Sequence, residues 1–194
     1  MKTREVFQVL CKQLEPILLP MGFSRRKDHT GHNLPWTRLL SEQTYETVWC
    51  QMDKWPWDPW IGSQLVVEFQ HAPSTDVGAI NSAKRARWAY LLTEDERREV
   101  QVRQNRVIAK IRVPSAAEYS EFMGFPVPNG DLFLEKYEQA CRPADYSGGR
   151  AQDIWLRVLG PEDVQMWAEF MAGWLPKGFE RFAAALPPSG ATGK

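Results

Sequence analysis

Residues able to do chemistry are scattered along this chain. The densest set is Asp28-His29-Thr30-Gly31-His32, where two imidazoles three apart and a carboxylate supply part of a metal-ligand set. A working site needs a further ligand from elsewhere. His71 is the one other histidine, and Cys11, Cys50 and Cys141 form no Cys-x-x-Cys pair. The incomplete set favours a polar loop, and no metal is expected. Cys50 with His71 would suit a thiol nucleophile and its base. If their two strands pair around a turn near Asp58, Cys50 faces about Val66 and His71 about Tyr45, several residues apart along the ladder. A buried, structural Cys50 is the expectation. The Glu94-Asp95-Glu96 run explains itself as helix capping and dipole complement. No Gly-x-Gly-x-x-Gly, Walker, Gly-x-Ser-x-Gly or His-Glu-x-x-His sequence occurs, so no catalytic residue and no cofactor is assigned.

The strongest binding signal is the segment Asp53-Lys-Trp-Pro-Trp-Asp-Pro-Trp60. Proline stiffens the backbone, and indoles are costly to leave in water. Trp55, Trp57 and Trp60 can fold back as a lid on the sheet, form a hot spot for another protein, or stack bases or sugars. Asp53 and Asp58 flank the rings and would repel phosphate, which disfavours nucleic acid. Lid and protein contact stay open. A second candidate surface is basic: Arg25, Arg26 and Lys27, then Arg98, Arg103, Arg106 and Lys110 within the Lys/Arg-rich stretch from Lys84 to Arg112. Such a face could hold phosphates or an acidic partner. A solvated helix face with acids first and bases last is the favoured reading, since the chain as a whole is neutral.

The elements that position these residues follow from periodicity. Val6, Phe7, Leu10, Leu14, Ile17 and Leu18 give a first helix, with Thr3 as cap and a kink or break expected near Lys12 to Glu15 because of Pro16. Strands are expected over Trp36 to Ser41, Tyr45 to Trp55 and Ser63 to His71. In the last two, Val48, Cys50, Met52, Leu65, Val67 and Phe69 mark one packed face. Short joins make this an antiparallel meander. Asn81 to Leu92 reads as helical. Thr93 and Glu96 form a capping box for the next helix, and Ala116 to Met123 is a short helix closed by Gly124. Asp131 to Cys141 is helical, Ile154 to Leu159 a late strand, and Pro161 opens a helix that Pro176 and Gly178 should interrupt.

The fold class is therefore α+β: an antiparallel sheet of three or four strands packed by the N-terminal helix, with a mainly helical C-terminal half. Residues 1–186 are read as one domain (1–73 helix plus meander, 74–186 mainly helical), and 187–194 as a disordered tail. Lys plus Arg and Asp plus Glu are both 24, so the chain lacks the positive excess of a dedicated nucleic-acid binder. The odd, unpaired cysteines suggest reduced thiols in a cytoplasm. No run of about 18 apolar residues exists, so no membrane span is expected.

Leu14-Glu-Pro-Ile-Leu-Leu-Pro-Met-Gly-Phe-Ser-Arg-Arg26, followed by a strand ending in Trp49-Cys-Gln-Met-Asp-Lys-Trp55, resembles a family of small bacterial domains of unknown function, number forty-three zero four. The likeness covers roughly the first 70 residues. The Trp/Pro turn and the helical second half depart from that pattern. The resemblance implies a bacterial cytosolic domain with no reaction to carry over, and by analogy an immunity or defence setting. The expectation is a protein-interaction module whose contact surface includes Trp55, Trp57 and Trp60. A nucleic-acid-associated protein and an enzyme of unrecognised class are the alternatives.

Overall fold

In the computed structural model, residues 1–26, 31–54, 57–126, 130–147 and 153–185 are described, 130–133 by main chain only. Lys27, Asp28, His29, Trp55 and the tail 187–194 lie outside them. Helix α1 (Thr3–Leu18) buries Val6, Leu10, Cys11, Leu14 and Leu18 on one stripe. Its cap is Lys2, whose backbone N–H donates to Glu5 at 2.8 Å, so Thr3 is the first helical residue and not the cap. The helix runs through Pro16 without the expected break. Proline there removes a single helical hydrogen bond in the last turn, while Leu14 and Leu18 hold that turn in the core.

A six-stranded sheet follows, larger than the three or four strands expected. Strands β1 (Ser24–Arg25), β2 (Asn33–Ser41), β3 (Thr44–Met52), β4 (Ser63–Ala72) and β5 (Lys84–Arg87) form an antiparallel path in chain order. Late strand β6 (Leu156–Val158) pairs with β4 at Ser63 to Leu65, while β5 takes Glu68 to His71 along the same edge. The β3–β4 register sets Cys50 opposite Val67 and His71 opposite Glu46, one residue from the expected pairing.

Strand β5 replaces the helix expected over Asn81 to Leu92, and only Trp88–Tyr90 forms a 3-10 turn. Its charged residues find carboxylates across the ladder. Arg85 Nε donates to Glu68 at 2.7 Å, and Arg87 Nε lies 3.4 Å from the other oxygen. Cross-strand charge pairing of this kind stabilises a strand whose one apolar residue is Ala86.

Helices α2 (Glu94–Ile108), α3 (Ala116–Met123), α4 (Gly130–Cys141) and α5 (Pro161–Ala184) complete the chain. Helix α5 is continuous through Pro176 and Gly178, where an interruption was expected. Its stripe explains why: Trp167, Met171, Trp174, Leu175, Phe179 and Phe182 are all buried. Phe69 of β4 meets the rings of Trp174, Phe179 and Phe182 at 5.2 to 5.8 Å. Gly178 lets Trp174 lie against the helix, since a Cβ there would sit 2.6 Å from that ring.

Helices α1 and α5 pack together, and one buried cluster extends from Val6 to Phe182. The opposite face of the sheet is also buried, but polar. Thr37 and Thr47 share a hydrogen bond of 3.2 Å, and Gln70 donates to the Asp76 carbonyl at 2.7 Å. Among the described residues no helix is long and apolar enough to cross a membrane.

The Thr93–Glu96 capping box forms as expected. Burial would raise the Glu96 pKa, but Arg181 and the Thr93 backbone N–H outweigh it and bring it from 4.5 to about 2. A carboxyl depressed on folding contributes stability that is full above its ordinary value and is lost as pH falls toward its folded value. Denaturant unfolding of wild type should therefore weaken between about pH 5 and pH 2, and Arg181→Met should flatten that slope.

Candidate functional site

The Trp/Pro segment joins β3 to β4 as expected, and its geometry centres on Asp58. Asp58 and Gly62 exchange backbone hydrogen bonds of 3.0 and 2.8 Å, closing a tight loop. The Asp58 carboxylate uses both oxygens. Oδ1 accepts from the backbone N–H of Trp60 at 2.9 Å and of Ile61 at 3.1 Å. Oδ2 accepts from Lys136 Nζ at 3.0 Å and from the Tyr137 hydroxyl at 2.9 Å, both on α4. Burial alone would raise the Asp58 pKa; these donors outweigh it and hold the carboxyl below the usual aspartate value. Burial, then the bond to Asp58, pushes the Tyr137 phenol well above its ordinary value.

Gly62 has φ +66, a conformation that favours glycine. Its Cα faces β6 so closely that a Cβ would sit 1.9 Å from the Val158 carbonyl oxygen. Arg157 Nη1 donates to the Ile61 carbonyl at 2.7 Å, which ties the same turn to β6.

The tryptophans then fall into place. Trp57 is half-buried and packs against the core cluster. Trp60 is half-buried in an aromatic group with Phe122 at 5.2 Å, Tyr137 at 5.8 Å and Tyr119 at 6.1 Å. Tyr119 and Phe122 come from α3, which has no buried residue. Between turn, sheet edge and the two helices lies a cleft of about 660 Å³, within the range of ligand sites. Asp53, Asp58, Gln64 and Arg157 line it on the turn and strand side, and Tyr119, Phe122, Met123, Lys136 and Tyr137 on the helix side.

The cleft brings together Asp53, Trp57 and Asp58 with residues that sequence reasoning passed over: Tyr119, Phe122, Lys136, Tyr137 and Arg157. A signal for α3 existed. Phe122 and Met123 of α3 are 55% and 40% exposed, Phe125 just beyond its end is 53% exposed, and three large apolar residues in water at one helix end mark a contact surface.

The remaining candidates are dispersed. Arg25 lies against Glu15 at 3.2 Å on β1, and Arg26 follows it, exposed. Arg98 pairs with Glu94 and Asp95, Arg103 with Glu99, and Lys110 with Asp163 at 2.6 Å. Arg106 is exposed on α2. His32 is described but His29 is not, and among the described residues no group of three or more His, Cys, Asp or Glu is placed to hold a metal ion. Cys50 is buried, and burial pushes its thiol up to about 12, far from a reactive thiolate. His71 hydrogen-bonds Glu46 at 2.9 Å, and Glu46 also accepts from Arg38 at 2.7 Å. These contacts join β2, β3 and β4 at one end of the sheet.

The chain matches no family model, no curated protein and no solved structure.

Proposed function

We propose that this protein is a non-enzymatic protein-interaction module and that the cleft beside the Trp57 to Trp60 turn receives a segment of a partner protein. The observation that carries this reading is the pairing of a rigid wall with an exposed apolar rim. Trp60 is braced by three rings, and Asp58 locks the turn that carries it. A surface fixed before binding loses less entropy on association. The rim residues Phe122, Met123 and Phe125 are of the types enriched at contact hot spots and interface cores. In this reading Trp57 lines the site, Trp60 braces the rings of its helix side, and the first contact falls to α3.

A nucleic-acid partner has less support. Arg25, Arg98, Arg103 and Lys110 each sit against a carboxylate of the chain itself, which cancels much of the field they would present to phosphate. The setting implied by the N-terminal resemblance is a bacterial one of immunity or defence type.

The reading is tested by quantitative capture from native lysate with wild type and a Phe122→Ser/Phe125→Ser variant. Both side chains are largely exposed, so the variant should keep its fold, checked by circular dichroism. One set of proteins should drop at least about tenfold in the variant, as loss of two hot-spot rings requires. Equal recovery of every protein by both baits would defeat the proposal.

A further inference from the structure

The cleft is lined by a cation that has no ion-pair partner among the described residues. Arg157 is half-buried on β6 and lines the cleft. Its Nη1 donates to the Ile61 carbonyl, yet a guanidinium carries five N–H donors in a planar fork. Among the described residues no carboxylate lies within ion-pair distance of it. Its charged neighbours are otherwise engaged or remote. Lys136 sits on Asp58, and Asp58 already accepts four hydrogen bonds. Asp58 and Asp53 act on Arg157 only from beyond ion-pair distance. Burial pulls the Arg157 pKa below the ordinary arginine value, the mark of a desolvated cation. Leaving such a charge without an anion is unfavourable, and a bidentate carboxylate is the partner that fits its fork.

Resting on the reading of the cleft as a partner site, we infer that its occupant is the C-terminal carboxylate of a partner chain whose last residue is aromatic, with Arg157 taking the carboxylate and the Tyr119, Phe122 and Tyr137 rings taking the side chain. A chain end fits better than a strand passing through. A passing main chain needs a partner for every N–H and C=O it buries. Apart from the charged and phenolic groups, the described residues lining the cleft offer only Ser63, Gln64, Gln139 and the Trp57 indole as polar side chains. An end-on residue brings one carboxylate to Arg157, which has no ion pair among the described residues, and its ring joins the aromatic group of the helix side.

The probes are N-acetyl-L-phenylalanine, its neutral amide, and N-acetyl-L-aspartyl-L-phenylalaninamide, which moves the carboxylate to a side chain. Binding is read on wild-type protein by ligand-observed NMR at millimolar probe. The acid should bind at least about tenfold more tightly than either amide, the gain expected for a charge-assisted fork. Arg157→Met should erase the difference, and Arg157→Lys should restore only part of it. Equal binding of acid and neutral amide overturns the carboxylate inference while the capture experiment with the α3 variant still decides the cleft reading. Preference for the aspartyl probe overturns the chain-end assignment. Binding of none of the three overturns the inference outright.

Discussion

Gly62→Ala will lose at least about 3 kcal/mol of unfolding free energy, the largest effect expected of an alanine at any described glycine. Two causes combine. A side chain at φ +66 costs roughly 1 kcal/mol by itself. The new Cβ would also lie 1.9 Å from the Val158 carbonyl oxygen and 2.9 Å from its carbon, and neither backbone atom can rotate away. The strain is relieved only by parting β6 from β4, at the Ser63–Val158 pair, and that also pulls Arg157 from the Ile61 carbonyl. Gly22 and Gly124 supply the control. Both have positive φ, but a Cβ at either meets nothing within 4 Å. Their alanine variants should lose only the conformational term, about 1 kcal/mol. Denaturant unfolding of the three variants separates clash from conformation. A Gly62→Ala loss no larger than the two controls would show that turn and strand are not in this close contact.

Asp58→Ala is the second large effect, expected at about 3 kcal/mol because four donors lose their acceptor at once, two of them backbone N–H groups. Asp58→Asn should cost roughly 1 kcal/mol. Its amide oxygen still serves the Trp60 and Ile61 N–H groups, while its NH2 leaves Lys136, on the surface, without this acceptor and turns the Tyr137 hydroxyl into the accepting partner. The pH dependence follows from the sign of the shift. The folded carboxyl lies below its ordinary value of 3.8, so its contribution is full above that value and fades as pH falls below it. The gap between wild type and Asp58→Ala should narrow in acid. A Tyr137→Phe background tests the coupling: the cost of Asp58→Ala should shrink there, since one of its four partners is already gone. Full additivity would mean that turn and α4 are not joined through this carboxylate.

Much of the fold was legible where local rules operate. The alternation in β3 and β4 identified the face that places Val48, Cys50, Met52, Leu65, Val67 and Phe69 together, while the burial of Thr47, Trp49, Glu68 and Gln70 on the other face was not legible from it. Thr93 with Glu96, and Gly124 in the left-handed region, marked helix boundaries through hydrogen bonds made within four residues. Strand β5 was not legible. Lys84, Arg85 and Arg87 are poor strand formers, and their pairing depends on Glu68, which a local window does not contain. Pro16 and Pro176 misled for a related reason: tertiary packing of the buried stripe outweighs the loss of one helical bond.

The candidate site was half legible. The Trp/Pro segment stood out as a stiff aromatic turn, and Asp58 was noted as a negative charge beside it. Its function as the clasp of the turn rests on Lys136 and Tyr137, separated from it by 78 and 79 positions. Arg157 reaches Ile61 across 96 positions. Contacts of that span arise from topology, with β6 returning to the edge of β4 after three helices, and no spacing rule reveals them.

The central claim is that the cleft rimmed by α3 is where this protein meets its partner. Site-specific photo-crosslinking in living cells tests it most directly, with a benzophenone amino acid at Phe122 and, as control, at Val102, which is 52% exposed on α2. The account predicts a discrete adduct from Phe122 that is absent from Val102 and that disappears when Asp58→Ala opens the turn. Identical adduct patterns from the two positions, or a Phe122 adduct indifferent to Asp58→Ala, would contradict it.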